Sequence, residues 1–257
     1  MTQRFVGAAD QGDLVEVIVP ASLADVLRDR WPRQGLTAPV IDGDRSGLSG
    51  VVVHRLAIVN DGTTRAVTAL VNGVTAPGGW ERIESELALF ASERLAGLIA
   101  VHAAVLAVDN RVVLVPGASG IGKSTLTVAA HRAGAVVLSD EYALVDPTTG
   151  RVTGWQRPVR VRQPGGGVER LDLITPSEPL AVGAVALVHF DPAAGDDWAP
   201  IPPSECVLGL LANTVCARSR PDESLDAAIA IAIHAMCVRG TRGEADASTA
   251  ALLALLR

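Results

Sequence analysis

The chain has 257 residues, of which 49% are hydrophobic and 19% charged, with a formal net charge of −6. That is enough apolar material for one large domain or a core domain with a smaller attachment, and it argues against disordered bulk. A negative balance without a long lysine or arginine run argues against a duplex-binding surface, and 3% aromatic residues argue against a single-strand stacking platform.

In chain order, residues 1–80 mix the valine-rich strands LVEVIV, GVVVHRLAIV and RAVTALV with one helix, SLADVLRDRW, for which Ser22 is the expected N-cap. Clusters such as IDGDRSG, NDGTT and APGGW are expected to be turns. This stretch reads as a small α+β N-terminal domain without recognisable chemistry, and residues 81–257 as a second domain. The N-terminus carries acids where a signal peptide needs an apolar stretch. Apolar runs such as AAIAIAIHAMCV fall short of the roughly 20 residues of a membrane helix. Cys206, Cys216 and Cys237 form no CxxC pair, which argues against zinc and fits free thiols in a reducing compartment. The expectation is a cytoplasmic protein with no membrane or nucleic-acid partner; assembly into a homo-oligomer is left open.

From Glu81 the apolar period changes, and Ile83, Leu87, Phe90 and Leu95 predict an amphipathic helix to about Gly97. LIAVHAAVLAV and RVVLV then flank Asp109-Asn110 and predict a hairpin. With those two residues as the whole turn, paired positions sum to 219 and His102 lies across from Gly117. Further on come a hairpin (YALVDPTTGRVTGW), the arginine stretch RPVRVR, a glycine loop at Gly165 to Gly167, and a buried strand, AVGAVALVHF. The helices ECVLGLLANTVCAR and DESLDAAIAIAIHAM, a strand around CVR and a last helix, DASTAALLALLR, complete the chain.

The segment GASGIGKS satisfies G-x-x-x-x-G-K-[ST] and sits between a strand, VVLV, and a helix, KSTLTVAAHRA. Glycines at 117, 120 and 122 let the backbone curl its amides toward phosphate oxygens, and the helix start adds its positive dipole end. Gly117, Ala118, Ser119, Gly120, Ile121, Gly122, Lys123, Ser124 and Thr125 are therefore the expected nucleotide-binding residues. Lys123 would place a compact charge on the β and γ phosphates, and the Ser124 hydroxyl would ligate Mg²⁺. The following strand, AVVLS, is expected to return parallel to VVLV by a right-handed crossover, which sets Asp140 beside the triphosphate. A carboxylate there needs Mg²⁺ or a proton to be tolerated. His131 is expected on the exposed face of the helix.

His102, GASGIGKS and Ser139-Asp140-Glu141 together resemble the HPr kinase/phosphorylase family, whose catalytic domain is related to phosphoenolpyruvate carboxykinases. That family carries a histidine fifteen residues before the first loop glycine and paired acids on the strand after the loop. The similarity covers roughly residues 95–145. From 146 to 257 the order of elements is similar, more diffusely, to HPr-kinase-like proteins of bacterial peptide-modification clusters. The resemblance implies an α/β phosphate-loop kinase core of the HPr kinase/PEP carboxykinase type, using ATP and Mg²⁺. It implies Asp140 as the general base for an accepting hydroxyl, His102 as its partner at the loop, and Glu141 beside Asp140 and Ser124 at the metal. Glu141 stands where the family usually has aspartate, and neither the family's HPr-docking glycine-rich segment nor the arginine-containing signature near its C-terminus is recognisable.

The leading expectation is an ATP-dependent kinase that phosphorylates a hydroxyl, serine foremost, on a peptide, protein or small molecule. The alternative is a nucleotide-binding regulatory or scaffold protein that has lost transfer. No guanine-reading N-K-x-D stretch supports a switch GTPase. A transition-state arginine is expected among Arg157, Arg160 and Arg218, and the sequence does not choose.

Overall fold

The computed structural model describes residues 2–41, 48, 51–60, 67–162, 168–171, 176 and 178–257. It is a mixed α/β structure with two mixed sheets and six α-helices among the described residues, and it divides into two units, Met1–Ala96 and Gly97–Arg257. No helix of the described residues is long and apolar enough to cross a membrane.

In the first unit, β1 (Thr2–Ala8) and β2 (Leu14–Pro20) form an antiparallel pair. A 3₁₀ turn (Ala21–Leu23) and α1 (Ala24–Arg30) lead to the short β3 (Val40–Ile41) and to β4 (Val52–Asn60), which lies parallel to β2. The parallel pairing needs such a crossover, because a two-residue turn joins only antiparallel strands. Ser22 lies inside the 3₁₀ turn and caps nothing; the helix N-cap is Leu23, without a side-chain cap bond. β5 (Val67–Val71) and β6 (Val74–Ala76) complete the order β3-β1-β2-β4-β5-β6, joined through Asn72 and Gly73, both at positive φ.

Helix α2 (Gly79–Glu93) belongs to this unit, so the division falls after Ala96 and not at residue 80. Its periodic face accounts for the difference. Ile83, Leu87, Ala88, Phe90 and Ala91 are buried, and the helix packs on β4 and β5. An apolar stripe of this kind belongs to whichever sheet removes it from water.

The second unit is built on one eight-stranded sheet. Its strands are β7 (Ile99–Val108), β8 (Arg111–Pro116), β9 (Val136–Ser139), β10 (Tyr142–Val145), β11 (Val152–Gly154), β14 (Ala181–Phe190), β15 (Asp197–Pro200) and β16 (Met236–Arg242). The order is β11-β10-β7-β8-β14-β16-β15, with β9 also on β7; β12 (Val159–Arg162) and β13 (Val168–Leu171) pair separately. β8, β14 and β16 are parallel, and β7 runs against β8. Alternation along the strands feeds two cores. On one face Val105, Leu114 and Val185 pack with residues of α4 (Pro203–Leu211) and α5 (Pro221–Ala232). On the other, Leu106, Val113 and Ala186 pack with Leu126 of α3 (Lys123–Arg132) and Leu252 of α6 (Ala245–Ala254). The three cysteines are buried free thiols.

Candidate active site

The β7–β8 turn sets the position of everything downstream. Asp109 and Asn110 both have positive φ, at 49° and 62°, the backbone of a two-residue hairpin turn whose twist matches the strands. Ala103 pairs with Pro116 and Val108 with Arg111, so the expected register holds, and the Gly117 amide donates to the His102 carbonyl at 3.0 Å.

β8 then delivers the glycine loop to the start of α3. Gly122 is the helix N-cap at φ +85°, a left-handed conformation that side chains rarely adopt. Ala118, Ser119, Gly120 and Thr125 are exposed, while Lys123 is buried. Its ammonium donates to the carbonyls of Gly117 at 2.8 Å and Ala118 at 2.9 Å. Burial lowers the Lys123 pKa to about 8, against the opposing pull of Asp140 and Glu141. At the same helix start, the Ser124 hydroxyl donates to Asp140 Oδ2 at 2.5 Å.

Asp140 reaches that position by a route different from the expected one. β9 runs in the direction of β8, but β7 lies between them, so the two are not hydrogen-bonded neighbours. β9 and β10 are two stretches laid along β7, with Ser139 opposite Val105 and Tyr142 opposite His102. Asp140 and Glu141 occupy the break. The buried Ser139 hydroxyl shapes it by accepting the Glu141 and Tyr142 amides at 3.0 and 3.1 Å, while Ala103 N donates to the Glu141 carbonyl at 3.1 Å. Ala103 therefore has Pro116 on one side and Glu141 on the other, which puts loop and carboxylates at one level of the sheet.

His102 faces the same region, with its ring 5.6 Å from that of Tyr142. Burial, then the nearby Lys123 charge, lowers its pKa to about 4, so the imidazole is neutral at pH 7. Glu141 lies 2.8 Å from Arg157 Nη1 in a partly buried ion pair. Of the three candidate arginines, Arg157 is thus at the site, and Arg218 is exposed in the turns after α4; the Arg160 side chain and Gly165 to Gly167 lie outside the described residues. His131 is exposed, as expected.

Sequence reasoning missed Arg242. At the end of β16 it is buried, donates through Nη2 to the Ile121 carbonyl at 2.8 Å, and lies where a Cβ on Gly122 would come within 2.5 Å of that nitrogen. Its only sequence signal is an arginine at the C-terminal end of a strand, which is too common to single out. Among the described residues no group of three or more His, Cys, Asp or Glu side chains is placed to hold a metal ion. No family model and no curated protein matches the sequence.

Proposed function

We propose that Gly97–Arg257 is a phosphate-loop kinase core of the HPr kinase/PEP carboxykinase type, which transfers the γ-phosphoryl group of ATP to a hydroxyl of a peptide, protein or small molecule. The observation that carries this reading is the contact between Ser124 Oγ and Asp140 Oδ2. It joins the hydroxyl at a glycine-loop helix start to a carboxylate presented from across a strand, the kind of hydroxyl–carboxylate pair that holds Mg²⁺ beside the phosphates in phosphate-loop enzymes.

Magnesium takes oxygen ligands, and Ser124 Oγ and Asp140 Oδ2 are two such oxygens in contact, which suits an ion held by one carboxylate together with phosphate oxygens and water. When bound, it would neutralise charge on the phosphates. Lys123 exchanges the Gly117 and Ala118 carbonyls for phosphate oxygens, and the loop amides and the first turn of α3 supply further donors. Asp140 accepts the proton of the acceptor hydroxyl as its oxygen bonds to the γ-phosphorus and the bond to the β-phosphate oxygen breaks. His102, neutral, offers a hydrogen bond and no charge.

One observation favours the alternative, a nucleotide-binding regulatory protein without transfer. The Arg157 ion pair engages the Glu141 carboxylate assigned to the metal. A single variant tests the loop assignment common to both readings. Lys123→Ala removes a charge-assisted contact of about 1.5–3 kcal/mol, so ATP should bind roughly 10- to 150-fold more weakly by calorimetry. Unchanged affinity and unchanged label transfer would refute the assignment.

A further inference from the structure

We infer that Phe190, backed by Arg242, is the stacking platform for the purine base of the nucleotide. The inference rests on the reading of the glycine loop as a nucleoside-triphosphate site and adds the end of the ligand which that reading leaves unplaced.

Polarity of the site comes first. Asp140 is presented on the β7 side of β8, and β14 is the neighbour of β8 on the other side. A triphosphate seated in the loop with its γ end at Asp140 therefore carries its nucleoside toward β14. That strand runs past the end of β8: Leu114 pairs with Val185, five residues before Phe190. Ala184, Ala186 and Val188 pack on the α3 side of the sheet, and strand alternation puts Phe190 on that side, with the loop.

The ring is also built to receive something flat. Phe5 and Phe90 are 0% and 4% exposed, whereas Phe190 is 43% exposed. The Arg242 guanidinium lies 5.0 Å from the ring centroid, and the same group donates to Ile121 in the loop, so one side chain spans from platform to phosphate site. The surroundings are fixed. Asp191 N donates to the Arg242 carbonyl at 2.9 Å, Arg242 Nη1 donates to Gly243 O at 3.0 Å, and Asp196 Oδ1 accepts Gly243 N and the Ser248 hydroxyl. An exposed ring beside a triphosphate site, with the Arg242 guanidinium against it, offers a face on which a base can stack.

Titration of the full chain with MgATP and with magnesium tripolyphosphate, which has no base, separates the possibilities. Phe190→Ala should weaken ATP by roughly 5- to 150-fold and leave tripolyphosphate within about twofold, and Phe190→Trp should restore ATP binding. Wild-type ATP affinity in Phe190→Ala, with both ligands bound by the wild type, would overturn the base site alone. Equal weakening of both ligands would also overturn it, because the ring would then act through the loop. A wild type that binds neither ligand would overturn the nucleotide reading itself.

Discussion

Lys123 is the only lysine among the 257 residues, so its titration can be followed without interference from another side-chain amine. In the free protein its pKa is lowered to about 8 from 10.5, because burial disfavours the charged form more than the nearby Asp140 and Glu141 favour it. Phosphate oxygens would reverse this, returning the value to the ordinary range or above. Nucleotide binding must then take up a proton at alkaline pH, and by linkage the affinity must fall as pH rises through about 8. Each pKa unit is a factor of ten, so MgATP should bind about tenfold more weakly at pH 9 than at pH 7. Growth with ¹³Cε-lysine gives one side-chain resonance, to be titrated with and without MgATP, while calorimetry in buffers of differing ionisation enthalpy counts the protons. A lysine that titrates near 10.5 in the free protein, or equal affinity at pH 7 and 9, would mean that Lys123 does not take up a proton when nucleotide binds.

His102 is the counterpart in acid. Its folded pKa of about 4 lies below the ordinary 6.5, so the stability it contributes is present above pH 6.5 and is lost as pH falls toward 4, where the unfolded chain binds the extra proton. Thermal melts should show wild type losing stability relative to His102→Asn across that window, and parallel pH profiles would contradict the value. Ser139→Ala removes the acceptor of two amides, Glu141 N and Tyr142 N, and should cost about 1–3 kcal/mol in denaturant unfolding; an unchanged midpoint would mean that these amides have other partners.

The parts of the site legible in the sequence are those specified by local rules. Asp109-Asn110 announces a two-residue turn, and a turn of known length fixes its register, so the order of residues alone sets His102 opposite Gly117. The glycine spacing of the loop is likewise local. The rest depends on contacts between distant segments. Chain order cannot say that β7 inserts between β8 and β9, because strand direction is shared with the expected parallel pair and only the neighbour differs. Nor does it bring Arg242 to Ile121, some 121 residues earlier. Helix α2 shows the same limit in the other unit, since its apolar face is evident from its periodicity but the sheet that it covers is not. Arg157 is one of three equal candidates by sequence, and only its ion pair with Glu141 sets it apart.

The proposed division of labour has Asp140 removing the acceptor proton while Lys123 and the loop hold the phosphates. Its most direct test is Asp140→Asn, which keeps the size and one acceptor oxygen but takes no proton. With γ-labelled ATP, both the slow transfer to water and the transfer to an array of serine-containing peptides are measured for wild type and variant, alongside ATP affinity. Transfer should fall by about 10²- to 10⁴-fold in the variant, with ATP affinity within a few-fold of wild type. Transfer at the wild-type rate in the variant, to water or to any acceptor that the wild type phosphorylates, would contradict that division of labour.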